Sequence, residues 1–94
     1  MIRSFGDIDT ELISMGTRSR KLPQDIQNVA RRKLRMIEAA NEINDLRVPP
    51  GNRLEQLSGN LEGFWSIRIN EQWRVVFEFK NGGADNVKIT DYHR

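Results

Sequence analysis

Two arginines, Arg68 and Arg74, flank a short polar stretch that could turn a chain back on itself. If residues 63–70 and 72–79 are neighbouring strands, the turn around Glu71 brings the two guanidinium groups close across the hairpin. Like charges on adjacent strands are destabilising. A patch that tolerates them, with Ser66, Asn70, Gln72 and Tyr92 nearby, suits an anion with several oxygen atoms. The planar guanidinium fork matches phosphate well. Exposed sheet faces are also commonly polar, and Arg68 and Arg74 could simply pair with Glu78 or Glu71. Spacing alone leaves both readings open. The C-terminal run Asp91-Tyr92-His93-Arg94 offers a carboxylate, a phenol, an imidazole and a guanidinium on consecutive residues. An imidazole changes charge near neutral pH, but a terminal histidine also sits comfortably in water without a role.

Other catalytic constellations are missing. His93 is the one histidine, so no histidine pair can share acid and base work. No GxSxG, HExxH or Walker sequence occurs. The absence of cysteine removes disulfides and thiolate metal sites, and with a single histidine it argues against a transition-metal centre. No cofactor is expected. Glu38 and Glu42 stand one turn apart, where a solvated helix face is the simpler reading.

The 94 residues are read as a single domain, 1–94. No apolar run approaches a membrane span, and residues 1–5 carry no signal-peptide core, so a cytoplasmic location is expected. The formal net charge is only +2, but it is unevenly spread. Arg18, Arg20, Lys21, Arg31, Arg32, Lys33 and Arg35 fall in one stretch where Asp25 is the only acid. Such a surface can steer a polyanion, although a solvated helix face explains a charge run equally well.

The elements that would position these groups follow from periodicity. Residues 2–5 suit a short strand. Residues 7–15 suit a helix with Ile8, Leu12 and Met15 inward, stopped by Gly16. The polar segment 17–21 reads as a mobile basic linker. Residues 24–40 give the strongest helix, with Pro23 in its first turn and Ile26, Ala30, Leu34 and Ile37 as an apolar stripe. Arg31, Arg32 and Arg35 fall mainly outside that stripe and should be wet. Pro49-Pro50-Gly51-Asn52 breaks the chain. The period then changes to two. Residues 53–57 are an imperfect strand. Residues 63–70 place Trp65, Ile67 and Ile69 inward, and 72–79 place Trp73, Val75, Phe77 and Phe79 inward. After the turn Asn81-Gly82-Gly83, residues 86–92 place Val87 and Ile89 inward. This is an α+β domain, with two N-terminal helices packed on one face of a twisted, mainly antiparallel β-sheet.

The run Pro50-Gly51-Asn52-Arg53-Leu54-Glu55-Gln56-Leu57-Ser58-Gly59, then Gly63-Phe64-Trp65-Ser66-Ile67-Arg68-Ile69-Asn70-Glu71-Gln72-Trp73-Arg74-Val75-Val76-Phe77, and the closing Asp91-Tyr92-His93, resemble the HigB toxins of the RelE superfamily, including the GraT-like branch. The start Met1-Ile2-Arg3-Ser4-Phe5 matches as well, so the resemblance covers nearly the whole chain. It implies a RelE-like sheet and a metal-independent endoribonuclease that cleaves mRNA on the ribosome. It also implies a HigA-like helix-turn-helix antitoxin, through whose complex the toxin reaches operator DNA. Matched by position, Arg74, Asp91, Tyr92 and His93 stand where the family places active-site residues, with Arg68 and Gln72 in the same patch; strand parity puts Asn70 beside them, where it would bind RNA. Ser58 departs from the family, some of whose members carry lysine there; Arg53 or Arg68 could take over the basic role.

The chemistry so implied uses the ribose 2′-OH as nucleophile, with arginines on the phosphate and His93 or Asp91 moving protons. Tyr92 would stack on a base or donate to the phosphate. Arg18, Arg20 and Lys21 would meet ribosomal RNA. A non-catalytic RNA-binding module, or a DNA corepressor acting with the antitoxin, is the alternative. Strand alternation also yields an expectation about stability: Trp73 buried, and Arg74 substantially exposed, so that its removal leaves the melting temperature nearly unchanged.

Overall fold

The computed structural model describes residues 1–92. They form helices α1 (Ile8–Ser14) and α2 (Gln24–Ala39) and strands β1 (Glu55–Gln56), β2 (Phe64–Arg68), β3 (Trp73–Lys80) and β4 (Gly83–Asp91). The strands pair in sequence order as an antiparallel meander. The N-terminal segment joins as two parallel bridges to β4, Ile2 to Ala84 and Phe5 to Val87.

The core lies between the helices and one sheet face. Ile26, Ala30, Leu34 and Ile37 of α2 are buried against Ile67, Val75, Phe77, Val87 and Ile89. Each of these side chains larger than alanine contributes about 1.5–3 kcal/mol when fully removed from water. This matches the stripe and the strand parities read from the sequence. Trp73 packs against this core but is only half-buried, because it stands at the first position of β3, where the sheet ends. The last strand begins earlier than its alternation suggests. Gly83 and Ala84 already belong to it, because Asn81 and Gly82 form a tight turn with both φ angles positive.

Helix α1 is rotated from the expected orientation. Ile13 and Thr10 are inward, while Ile8 and Met15 are 60% and 64% exposed. The polar Thr10 wins its place because its hydroxyl accepts a hydrogen bond from the Ile89 amide of β4 at 2.9 Å. Apolar spacing cannot register such a polar anchor. Asp7 caps the helix by accepting from the Thr10 amide, and Gly16 ends it at φ +84°. The Gly16 and Thr17 amides donate to the Ile13 and Leu12 carbonyls, which is a Schellman closure.

The segment 17–21 is not the free linker expected. Ser19 is fully buried. Its backbone amide and carbonyl meet the Gln27 side chain, and its hydroxyl donates to Asp9. Arg31 also departs from its expected wet position: it is half-buried, and its Nε donates to the Ile13 carbonyl at 3.0 Å, serving the C-terminal end of α1.

Candidate active site on the outer sheet face

The cleft is built from strand alternation. With Ile67, Val75 and Phe77 turned to the core, Ser66, Arg68, Arg74, Thr90 and Tyr92 take the opposite face. Arg68 stands directly opposite Arg74, as the hairpin reading requires. The turn between them is held by Asn70, whose side-chain oxygen accepts from the Gln72 and Trp73 amides at 2.8 and 2.7 Å. An open cleft of about 640 Å³ results, lined by Arg53, Arg68, Asn70, Glu71, Gln72, Arg74 and Tyr92.

Arg74 corrects the expectation of exposure: it is 8% exposed. One guanidinium nitrogen donates to Ser66 Oγ at 2.8 Å and to the Arg53 carbonyl at 3.2 Å. The other stands 3.6 Å from Glu55 Oε2, an ion pair too long for a hydrogen bond. The Tyr92 ring lies over the group, with its centroid 5.2 Å from Cζ, within cation–π range. The outward face of β3 is therefore roofed by its neighbours rather than bathed in water. The partner is Glu55, not the Glu78 or Glu71 considered from the sequence; Glu78 accepts instead from the Asn86 side chain.

The loop before β1 sets this geometry. Asn52 is fully buried, its amide donating to the Leu46 carbonyl and its oxygen accepting from Lys33 Nζ at 2.6 Å. Burial holds the Lys33 ammonium pKa below its ordinary value, and neighbouring Arg32 lowers it further. With Asn52 pinned, Arg53 adopts left-handed φ/ψ of 45°/55°. Its carbonyl accepts from Arg74, and its side chain lines the cleft.

Of the expected site residues, Arg53, Arg68, Asn70, Gln72, Arg74 and Tyr92 are brought together. Asp91 stands beside the cleft, accepting from Gln72 Nε2 at 3.2 Å. His93 lies outside the described residues. Arg18, Arg20 and Lys21 are exposed in the loop between the helices, and Arg18 borders a separate polar cleft with Gln24, Asn28 and Arg31. The sequence reading missed Glu55 and missed Ser66 as the acceptor for Arg74. Ser66 was detectable, since it shares a face with Arg68. Glu55 was not, because β1 is two residues long and its register, Glu55 to Ser66, is a long-range fact.

The family model described as RelE-like toxin of type II toxin-antitoxin system HigB matches residues 8–93. The chain belongs to the HigB-like toxins. It is 47% identical over 77 residues to Toxin HigB-1 of Vibrio cholerae serotype O1, covering 82% of this chain and 80% of that protein. It is 36% identical over 94 residues to Endoribonuclease HigB of Proteus vulgaris, covering 99% and 100% of the two chains. Among solved structures, the YoeB-YefM complex from Staphylococcus aureus matches with a TM-score of 0.61 at 18% identity, covering 100% of this chain and 99% of that one. A mutant of YafQ from E. coli matches with a TM-score of 0.62 at 10% identity, covering 97% and 93%. At such identities these two show the fold, which is RelE-like. Among the described residues of this HigB-like toxin, no helix is long and apolar enough to cross a membrane.

Proposed function

We propose that this HigB-like toxin is a ribosome-dependent endoribonuclease that cleaves mRNA, so inhibiting translation, and is neutralised by a HigA-like helix-turn-helix antitoxin. The observation that carries the reading is Arg74, held beneath Tyr92 in a cleft that Arg53 and Arg68 also line. That is a concentrated positive site with a ring beside it, suited to a phosphate and its neighbouring base. The name of the Proteus vulgaris relative, an endoribonuclease, supports the same reaction.

The ribose 2′-OH attacks the adjacent phosphorus, and the bond from phosphorus to the 5′-oxygen breaks. The products are a 2′,3′-cyclic phosphate, or the 3′-phosphate formed from it by water, and a 5′-hydroxyl. RNA brings its own nucleophile, so the step needs no metal. Arg74 and Arg68 stabilise the charge on the phosphorane oxygens. His93 and Asp91 take the 2′ proton and protonate the leaving oxygen. Glu55 and Ser66 orient the Arg74 fork. Arg18, Arg20 and Lys21 lie on exposed loop surface and meet ribosomal RNA phosphates.

The cleft is open and shallow for an RNA strand, so the ribosome supplies the positioning that a deeper site would provide. Incubating the protein with free mRNA and with translating ribosomes tests this. Cleavage is expected on ribosomes, with 5′-hydroxyl ends; equal cleavage of free mRNA would refute ribosome dependence. Growth arrest by the toxin alone, relieved by the antitoxin, is expected of the catalytic reading and not of a corepressor.

A further inference from the structure

A second depression continues the same sheet face. Its apolar part is Leu61 and the half-buried Phe64, over Val76, which is itself 6% exposed, and Asn86, Lys88 and Thr90 also line it; its volume is about 310 Å³. Cross-strand register places it. Arg68, Arg74 and Thr90 form one row, and Ser66, Val76 and Lys88 form the next. Thr90 therefore belongs both to the arginine row and to the groove wall, and the floor at Val76 lies two residues, about 7 Å, along β3 from Arg74. Phe64 lies outside the core cluster, on the face turned away from the helices, and Leu61 is 41% exposed. Glu78, on the neighbouring strand, accepts from the Asn86 side-chain amide at 2.6 Å, while Lys88 is exposed at the rim.

We propose that this groove binds an unpaired base of the RNA strand, next to the one whose phosphate rests on Arg74. The inference rests on the reading of the cleft given above. An aromatic ring accepts any base by stacking, the Thr90 oxygen, whose hydrogen goes to the Lys88 carbonyl at 3.2 Å, and the Asn86 side-chain oxygen can accept from its polar atoms, and a lysine meets the following phosphate. The groove thus sets sequence preference beside the scissile bond, while the arginine row sets the chemistry. Continuity with the arginine row and the rim cation favour a nucleic acid strand over an apolar protein segment.

The test uses the full-length toxin on programmed ribosomes. Transcripts carry each of the four bases beside the cleaved bond, and Arg74→Ala runs in parallel. Phe64→Ala is expected to raise KM about 10-fold and flatten the base preference, while Phe64→Tyr restores both. Lys88→Gln should raise KM without changing the preference. Unchanged KM and base preference in a folded Phe64→Ala protein would overturn the inference. If that variant instead loses antitoxin affinity, the groove belongs to a protein partner. Wild-type toxin also serves, with RNA bearing a 2′-deoxy at the cleavage site and 2-aminopurine at the next base: quenched fluorescence on binding supports stacking, and unquenched fluorescence contradicts it. If wild type and Arg74→Ala cleave alike, it is the reading of the cleft that fails. If only Arg74→Ala is dead and Phe64→Ala matches wild type, the groove inference alone fails.

Discussion

Arg3 and Arg74 sit at opposite ends of the β3–β4 region, and each faces a carboxylate. Arg3 sends Nε and Nη2 to Asp85 Oδ2 at 3.0 and 2.8 Å, and Nη2 also reaches the Lys80 carbonyl at 2.8 Å. All of these acceptors lie on one hairpin, so the group fastens the N-terminal segment to it. Arg74 is more buried, yet its carboxylate stands back at 3.6 Å, and its short contact is to a neutral hydroxyl. Ser66 and the Arg53 carbonyl hold one guanidinium nitrogen of Arg74, and Glu55 pairs with the other, so the fork is fixed from three sides. Under the proposed function, the difference separates an arginine used only for fastening from one that also faces the cleft.

That separation can be broken by mutation. Stability should depend most on neither arginine but on the inner face between them. Phe77→Ala should lower unfolding free energy by about 3–5 kcal/mol in chemical denaturation, abolishing toxicity only through unfolding. Glu55→Gln keeps the shape of the side chain and removes its charge. Cleavage on ribosomes should fall about 10-fold or more as the fork loses its restraint, with a much smaller change in melting temperature. Replacing Arg18, Arg20 and Lys21 together with Ala should weaken ribosome binding and flatten its salt dependence, leaving single-turnover cleavage of bound complexes intact. A filter-binding salt series reads this. An unchanged slope would reduce the segment to a connector.

The smallest effect belongs to the fastening pair. The hydrogen bond from Arg3 holds the Asp85 carboxyl below its ordinary pKa, and Ser4 adds to this. A carboxyl depressed on folding contributes stability above its unfolded value and loses it as pH falls through the folded one. Arg3→Ala should therefore melt slightly below wild type at neutral pH, and the two curves should converge below the ordinary aspartate range. Cleavage should be unaffected.

Much of this architecture was legible because it rests on local periodicity. The α2 stripe, the parities of β2 and β3, and the Arg68–Arg74 juxtaposition all follow from residue spacing and one turn. The failures share a cause, which is polar anchoring over long sequence separation. Thr10 is drawn inward by the Ile89 amide, Ser19 by Gln27, and Arg74 by Ser66, Arg53 and Glu55. A hydrophobic pattern assigns polar residues to water, so it turned α1 the wrong way and exposed Arg74. The family resemblance pointed to Arg74 and Tyr92, which the structure brings together, but not to the burial of Arg74.

Because Arg74 is hydrogen-bonded to a buried serine, its loss should be felt in the fold as well as in the reaction, at about 1–3 kcal/mol for the stranded hydroxyl. The deciding measurement is cleavage of ribosome-bound mRNA by Arg74→Ala, at a temperature where circular dichroism shows the variant folded. The expected result is a native spectrum with cleavage reduced by about 100-fold or more. A folded Arg74→Ala protein that cleaves at the wild-type rate would show that the buried guanidinium is a structural fastening like Arg3, and that the chemistry lies elsewhere.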